Sequence, residues 1–131
     1  MRVKMIRSLS EERPASIQDL HESQVFISTG TEYEVHALVV FEGGVHFQVV
    51  DDLPMINWYP MWYFEVVDPT IPDDWICNLF DDVLQMVLGP DFVARDEASY
   101  NSMVELEWDA TDKFWARLKA RSASEDDKSL L

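Results

Sequence analysis

The 131-residue chain has one cysteine, four glycines and no long uninterrupted apolar run. A single cysteine, Cys77, excludes an intrachain disulfide and any zinc site built mainly from cysteines. Four glycines leave little for phosphate-cradling loops, and neither the nucleotide-binding motifs nor the hydrolase nucleophile motif occurs. The mostly apolar stretch over residues 53–64 is broken by prolines and too short to cross a bilayer. These absences predict a cytoplasmic protein with no catalytic site, metal or cofactor.

Positive charge is missing from the middle of the chain. Residues 14–94 contain 14 acidic residues and no lysine or arginine, and the whole chain carries a net charge of −15. Such acidity disfavours binding to nucleic-acid phosphates and to anionic membranes. It suits either a bias toward solubility without a specific partner or a surface that steers a basic protein partner. The hydrophobic content of 47% excludes a disordered acidic tail.

Alternating apolar residues predict a β-rich region that extends to about residue 80. From Tyr33 to Phe41 the odd-numbered positions are apolar, which places Glu32, Glu34 and His36 on the opposite, outer face. The next strand, at residues 45–49, also has its apolar residues at odd numbers. Matching the two apolar faces predicts a three-residue hairpin loop at residues 42–44. Further short strands are predicted at residues 2–7, 55–59, 63–67 and 75–80, with a loop at residues 10–24, and together they indicate a small curved barrel.

Helical patterns follow the strands. Asp96 is placed to cap one helix and Asp109 to cap a second. The basic residues of the second helix gather toward its C-terminal end, where the helix dipole favours them. Residues 122–131 are rich in Ser, Asp and Glu, which predicts a flexible tail.

The run at residues 57–64 contains five aromatic residues and supplies the candidate binding site. Strand alternation predicts that some of them fill the core while others are exposed. We take Trp58, Trp62 and Tyr63 as candidate anchors for a protein partner. The candidate rim consists of acidic residues from neighbouring turns: Asp51, Asp52, Asp73 and Asp74. The alternative interpretations are that the aromatics are covered by the helices and that the acidic pairs are solvated turn residues.

The chain resembles bacterial SH3-like barrel proteins in its spacing of turn and strand residues. The matching pattern begins with Thr29-Gly30 and Tyr33-Glu34-Val35. It continues with Trp58-Tyr59-Pro60 and with the run from Phe64 through Glu65, Val66 and Val67 to Asp68. Several of these proteins are regarded as immunity proteins that neutralise a toxin in the cytoplasm. The resemblance covers about residues 2–80 and concerns mainly fold-determining positions.

These observations predict an α+β fold. It consists of a small SH3-like antiparallel β-barrel at residues 1–80, a helical extension at 81–121 packed on the barrel, and a flexible tail at 122–131. The expected function is non-catalytic binding of a basic protein partner, as in an immunity protein that blocks a basic toxin. The alternative is an adaptor module that binds a peptide, or forms a homodimer, through its aromatic patch.

Overall fold

The computed structural model describes residues 1–8 and 25–129, with side chains as far as residue 123 at the C-terminal end. The described chain has an α+β architecture, as predicted, with the strands first and the helices last. The eight strands are β1 Arg2–Met5, β2 Glu32–Glu34, β3 Ala37–Phe41, β4 Gly44–Val50, β5 Ile56–Pro60, β6 Phe64–Asp68, β7 Trp75–Leu79 and β8 Leu84–Pro90. A 3-10 turn, Met61–Tyr63, joins β5 to β6, and the helices are α1 Asp91–Ala94, α2 Glu97–Val104 and α3 Trp108–Ser129. The predicted loop at residues 10–24 lies outside the described residues.

The strands form two antiparallel sheets. The small sheet has the order β2-β1-β6, and the large sheet has the order β5-β4-β3-β8-β7. Both sheets are open, so the prediction of a closed barrel is wrong. The large sheet includes β8, which lies between β3 and β7. The strand region therefore continues past residue 80 into the range for which a helical extension is predicted.

The β3–β4 hairpin differs from the prediction by one residue. Phe41 pairs with Gly44, and Val40 pairs with Val45, so the loop has two residues rather than three. The prediction is wrong because it assumes that only one face of the sheet is buried. Gly44 has a φ of +116°, a conformation that glycine adopts without a Cβ clash.

Two hydrophobic cores cover the two faces of the large sheet. One core lies between the sheets and includes Phe47, Val49 and Tyr59 from the large sheet with Val3 and Phe64 from the small one. The other lies between the large sheet and the helices and is formed by residues such as Val39, Ile56, Val87, Met103 and Phe114. Alternate residues of each central strand therefore enter different cores.

The predicted strand at residues 31–41 is interrupted at Val35 and His36, between β2 and β3. Its predicted inner residues are buried, but Tyr33 and Val35 enter the core between the sheets while Ala37 and Val39 enter the core under the helices. His36, predicted on the outer face, is buried instead, and its ring lies 4.9 Å from that of Phe114.

The C-terminal region has three helices rather than the two predicted. The Asp96 side chain accepts a hydrogen bond from the Ser99 N–H at 2.7 Å, which confirms the predicted cap of α2. Helix α3 begins at Trp108, one residue before the predicted cap Asp109. Its backbone is helical as far as Ser129, through most of the predicted tail, whose flexibility stays a prediction.

Candidate protein-binding groove

Large apolar side chains are exposed on two segments that are far apart in sequence. In residues 53–55, the side chains of Leu53 and Met55 are about half exposed. In the α2–α3 region, Trp108 is 83% exposed, and Leu106 and Trp115 are each 40% exposed. Single exposed apolar residues are common on protein surfaces, but a contiguous group of this size is typical of an interaction site.

The two segments form the walls of one depression, which we call the apolar groove. Its volume is about 220 Å³. The residues that line it are Pro54, Met55, Ile56, Leu106, Thr111 and Trp115. Leu53 precedes the groove residue Met55, and Trp108 lies between the groove residues Leu106 and Thr111, so both exposed side chains are sequence neighbours of the groove lining.

Asp51 holds the first wall in place. Its carboxylate is buried and accepts hydrogen bonds from the N–H groups of Leu53 and Met55, at 3.0 and 3.1 Å. The Tyr59 hydroxyl donates to the same carboxylate at 3.0 Å. Burial raises the pKa of Tyr59 well above its ordinary value, so the phenol keeps the proton that it donates. This network fixes residues 51–55 in a tight turn whose apolar side chains face outward.

The second wall depends on the tight turn between α2 and α3. Leu106 has a φ of +54°, in the left-handed region that commonly ends helices. The N–H of Leu106 donates to the carbonyl of Met103 at 3.2 Å, and the N–H of Glu107 donates to that of Ser102 at 3.0 Å. This pair of bonds is a Schellman motif, which reverses the chain so that Leu106 lines the groove.

Helix α3 is anchored next to the groove by buried neighbours. Ala110 and Phe114 lie in the core under the helices. Trp115 follows Phe114 directly, and their rings pack edge to face with centroids 5.1 Å apart. Successive helical residues point about 100° apart, so burial of Phe114 turns Trp115 toward the groove.

Acidic residues accompany the second wall. Glu105 and Glu107 flank Leu106 in sequence, and Asp112 follows Thr111; all three are exposed. None of them belongs to an ion pair among the residues that the structure describes. The nearby Asp109 pairs with Lys113 at 3.2 Å. Glu107 lines a separate depression with Arg95 and Lys113, so the unpaired acids next to the groove lining in sequence are Glu105 and Asp112.

The structure disperses the residues that the sequence suggests as anchors. Tyr63 is completely buried and offers no surface to a partner, so we assign it to the core. Trp58 is half-buried and packs edge to face on Tyr100 of α2, at 5.7 Å between centroids. Trp62 is half-buried and lines a different cleft.

The four predicted acids also have different environments. Asp51 is buried and organises the groove, so it is a structural residue rather than a surface contact. Asp52 is exposed and accepts hydrogen bonds from the Ser28 hydroxyl and from the Tyr33 hydroxyl, the latter at 2.7 Å. Asp73 is exposed, and Asp74 forms an ion pair with Arg117.

A second cleft, of about 440 Å³, lies beside Trp62, between the β3–β4 turn and the start of β6. Arg7 closes one side of it and donates to the Trp62 carbonyl at 3.1 Å, with its guanidinium carbon 5.8 Å from the indole centroid. Burial lowers the pKa of His46, which also lines the cleft, to about 4, so the imidazole is neutral at physiological pH. We call this depression the Trp62 cleft.

The sequence patterns did not suggest the exposed apolar residues of this region as partner contacts: Met55, Leu106 and Trp115, which line the groove, and Leu53 and Trp108, which neighbour the lining in sequence. A signal for one wall is present in residues 104–109, where apolar and acidic residues alternate. That alternation does not fit the helical period, and its last apolar residue, Trp108, lies between Glu107 and Asp109. The other wall has no comparable signal, since Leu53 and Met55 sit beside a proline in what reads as an ordinary turn.

Within residues 1–8 and 25–129, no three side chains of His, Cys, Asp or Glu gather in a way that could hold a metal ion. None of the helices in this part of the chain has the length and apolar character that a membrane span requires. No family model, no curated protein and no solved structure matches the chain.

Proposed function

We propose that the protein is a non-catalytic binding protein that captures a basic protein partner in the apolar groove. The observation that carries this proposal is the exposure of Trp108 and Trp115 beside unpaired acidic residues. Tryptophan in the centre of an interface supplies a large share of the binding energy in many complexes. Trp108, at 83% exposed, buries little of its side chain within the monomer, and Trp115 presents the part of its ring that Phe114 does not cover.

The acidic residues supply the specificity of this binding. The net charge of −15 attracts a basic partner over a distance comparable to the Debye length, about 8 Å at physiological salt. Glu105 and Asp112, which are next to the groove residues Leu106 and Thr111 in sequence, are exposed and available to pair with lysine or arginine. Association should therefore be fast and strongly salt-dependent, while the apolar centre sets the lifetime of the complex.

The most concrete form of the proposal is an immunity protein that neutralises a basic toxin in the cytoplasm. The resemblance of residues 2–80 to SH3-like immunity proteins supports it, and so does an acidic, apolar surface suited to blocking a cationic protein. In this proposal the two sheets are an opened variant of the SH3-like barrel, with β8 and the helices as additions.

Immunity proteins of the type that the chain resembles are encoded beside the toxin they neutralise, so the test is a titration of the purified protein with the purified product of the neighbouring gene. We expect Trp108→Ala and Trp115→Ala each to weaken binding at least tenfold, since truncating a hot-spot residue costs about 2 kcal/mol or more. Val67→Ala, on the exposed face of β6, is the matched control and should bind as the unaltered protein does. Raising the salt concentration from 50 to 500 mM should weaken the complex strongly. Unchanged affinity in both tryptophan variants would overturn the assignment of the groove.

The Trp62 cleft supports a second candidate function, that of an adaptor that binds a peptide. Its larger volume and its lining of Pro60, Met61 and Trp62 favour this alternative. The two candidates predict opposite mutant patterns. Loss of partner binding in Trp62→Ala, with Trp108→Ala unaffected, would favour the adaptor.

A further inference from the structure

Strand β7 leaves one backbone edge of the large sheet without a partner strand. It is the terminal strand of that sheet and pairs only with β8 among the described strands. The N–H of Phe80 donates to the carbonyl of Gln85 at 2.9 Å. This bond shows which residues of β7 direct their backbone N–H and carbonyl groups toward β8 and which direct them away from it. Because antiparallel pairs alternate between bonded and non-bonded positions, Ile76 and Asn78 direct their backbone groups to β8. Cys77 directs its N–H and its carbonyl to the free edge.

Neighbouring residues occupy some of the outward groups but not those of Cys77. The Trp75 N–H donates to the Pro72 carbonyl, and the Leu79 N–H donates to the Asn78 side-chain oxygen, each at 3.1 Å. No hydrogen bond in the described part of the chain uses the Cys77 N–H or the carbonyls of Trp75, Cys77 and Leu79. Those groups form a short template for one more strand.

The strand also lacks the features that normally protect a sheet edge. Natural edge strands carry charges, prolines or bulges that prevent pairing with another chain. Residues 75–79 contain no charged residue and no proline, and the β7–β8 register is continuous. Leu79 is 73% exposed, while Cys77 and Ile76 are exposed on opposite faces. An added strand would cover this apolar surface on both sides.

Acidic pairs stand at both ends of this uncharged edge. Asp73 and Asp74 precede β7, Asp81 and Asp82 follow it, and all four are exposed. Arg117 neutralises Asp74. The other three belong to no ion pair among the described residues. Five residues of strand span about 17 Å, so the two acidic ends are spaced to contact both ends of one short strand.

We propose that an extended segment of the basic partner adds to β7 as a further strand. The segment has β-branched or apolar residues at its centre and lysine or arginine at both ends, about six residues apart. This inference rests on the proposed function, since it assigns a second contact to the same basic partner. The acidic residues at both ends of β7 favour a strand with basic residues at its ends over one with neutral or acidic ends.

A second copy of the chain fits the edge less well. In an antiparallel pair of two β7 strands centred on Cys77, Asp73 of each copy would lie opposite Asp81 of the other. Like charges directly opposite each other destabilise a strand pair, and this arrangement repeats at both ends. The net charge of each copy adds long-range repulsion.

The test uses a synthetic peptide, Arg-Lys-Thr-Val-Thr-Val-Thr-Lys-Arg, titrated into the 131-residue protein and followed by NMR. We expect the Cys77 amide to shift and to gain protection from hydrogen exchange. A peptide with the same centre and glutamate at its four terminal positions should bind at least tenfold more weakly. Equal binding of the two peptides, or shifts confined to other parts of the protein, would overturn the proposal.

A proline at position 77 tests whether the peptide pairs with the edge of β7, because it should block that pairing without breaking the β7–β8 hydrogen bonds. Cys77→Pro removes an outward N–H and leaves the β7–β8 bonds in place, whereas Cys77→Ala keeps that N–H. We expect the alanine variant to bind the basic peptide normally and the proline variant to lose binding. Asp73→Asn combined with Asp81→Asn should weaken binding severalfold and tests the same edge should the proline variant fail to fold. Normal binding by this double variant would contradict the proposed charge contacts.

Two further outcomes separate this proposal from the proposed function. Trp108→Ala should leave the basic peptide bound at β7 while weakening the natural partner. If the partner depends on Trp108 but binds Cys77→Pro normally, the groove assignment stands and the edge proposal fails. Rapid formation of a Cys77–Cys77 disulfide dimer when the oxidant diamide is added at micromolar protein would identify a second copy as the occupant and would also overturn it.

Discussion

Arg117 of α3 and Asp74, which immediately precedes β7, form a two-pronged ion pair between parts of the chain 43 residues apart. The Nε and Nη2 atoms of Arg117 lie 2.6 and 2.9 Å from the two carboxylate oxygens of Asp74. Arg121, one helical turn later, reaches the Glu34 carboxylate at 2.6 Å. The long C-terminal helix thus supplies cations to the cation-free centre of the chain and joins it to both sheets.

Removing Asp74 should destabilise the protein. The Arg117 side chain is only 11% exposed, so Asp74→Ala leaves a largely buried guanidinium without its partner. Asp74 itself is about half exposed, which limits the expected loss to about 1–2 kcal/mol. Urea denaturation at pH 7 measures it. Asp73→Ala, an exposed neighbour, should change stability by less than about 0.5 kcal/mol, and an equal loss in both variants would contradict the role of the ion pair.

The same ion pair has a defined pH dependence. The hydrogen bonds from Arg117 lower the pKa of Asp74 below its ordinary value of 3.8. Its contribution is therefore fully present above that value and is lost as the pH falls through the lowered pKa. The stability difference between the unaltered protein and Asp74→Ala should be constant from pH 7 to pH 5 and should shrink toward pH 2. A difference that grew on acidification would contradict this assignment.

Local patterns predicted the individual strands better than their assembly. The alternation in residues 31–41 identified buried Tyr33, Val35, Ala37 and Val39 correctly. The alternation could not show that the strand is interrupted at Val35 and His36, nor that the residues before and after the interruption enter different cores. A strand that packs against either core shows the same alternation of apolar residues. The loop between β3 and β4 was predicted one residue too long for the same reason: alternation alone does not show that both faces of the sheet are buried. The sequence of β4 places Phe47 and Val49 on one face, and nothing local indicates that helices cover the other.

Acid should destabilise the protein through His36. Burial, together with the charges of Arg117, Arg121 and the N-terminus, lowers the pKa of His36 to about 3. Between that value and 6.5 the unfolded chain binds a proton that the folded chain does not, so stability falls as the pH falls. The slope contributed by one histidine is at most about 1.4 kcal/mol per pH unit.

His36→Phe should flatten the dependence of the unfolding free energy on pH between pH 6 and pH 4.5. Phenylalanine keeps a ring that can pack on Phe114 but cannot take up a proton. His46 contributes in the same direction, since its pKa is also lowered, so His46→Gln should flatten part of the slope that remains. Urea titrations at several pH values provide the comparison. Identical slopes in the unaltered protein and His36→Phe would show that His36 does not contribute to acid unfolding.

Gln48 is a position where replacement should increase stability. Its side chain is completely buried on β4, on the face under the helices, opposite Ala37 and Trp58. Neither amide atom has a hydrogen-bond partner within the described part of the chain. A buried polar group without a partner costs about 1–3 kcal/mol, so Gln48→Met, which keeps a similar shape, should stabilise the fold by about that amount. Thermal unfolding measures the change.

Gln85→Met is the matched control for this substitution. Gln85 lies on β8 and is exposed, so the same replacement there should change stability by less than about 0.5 kcal/mol. A loss of stability in Gln48→Met would mean that the amide makes a contribution that its contacts do not explain. Because Gln48 is completely buried, it takes no part in the proposed binding surfaces, so Gln48→Met should bind the partner as the unaltered protein does.

The sequence suggested acidic residues and aromatic anchors as a partner-binding site, and that site stays a prediction. The structure adds the positions of the exposed apolar residues, which the sequence did not indicate. Trp115 lines the groove and the exposed Trp108 stands at the start of the same helix, whereas Trp58 packs on Tyr100 of α2. The choice depends on where α2 and α3 pack, which is set by long-range contacts such as Phe114 on His36. No local pattern encodes those contacts.

Gly89 should not tolerate a side chain. A Cβ at this position would lie 2.8 Å from the Ala37 Cβ and 3.4 Å from the Ala37 Cα on the neighbouring strand. Because Ala37 is completely buried in β3, Gly89→Ala forces the two central strands apart and should destabilise the protein by about 1–3 kcal/mol. Ala37→Gly alone should cost about 1 kcal/mol through the added freedom of the unfolded chain.

The double variant, Gly89→Ala with Ala37→Gly, tests whether this close approach is the cause. It moves the methyl group from one strand to the other and removes the clash, so its loss should be clearly smaller than the sum of the two single losses. Denaturant midpoints for the four proteins give the coupling energy. Additive losses would show that Gly89 is required for its backbone conformation, not for the contact with Ala37. A favourable coupling above about 0.5 kcal/mol would establish that the packing of β8 against β3 sets the spacing at the centre of the large sheet.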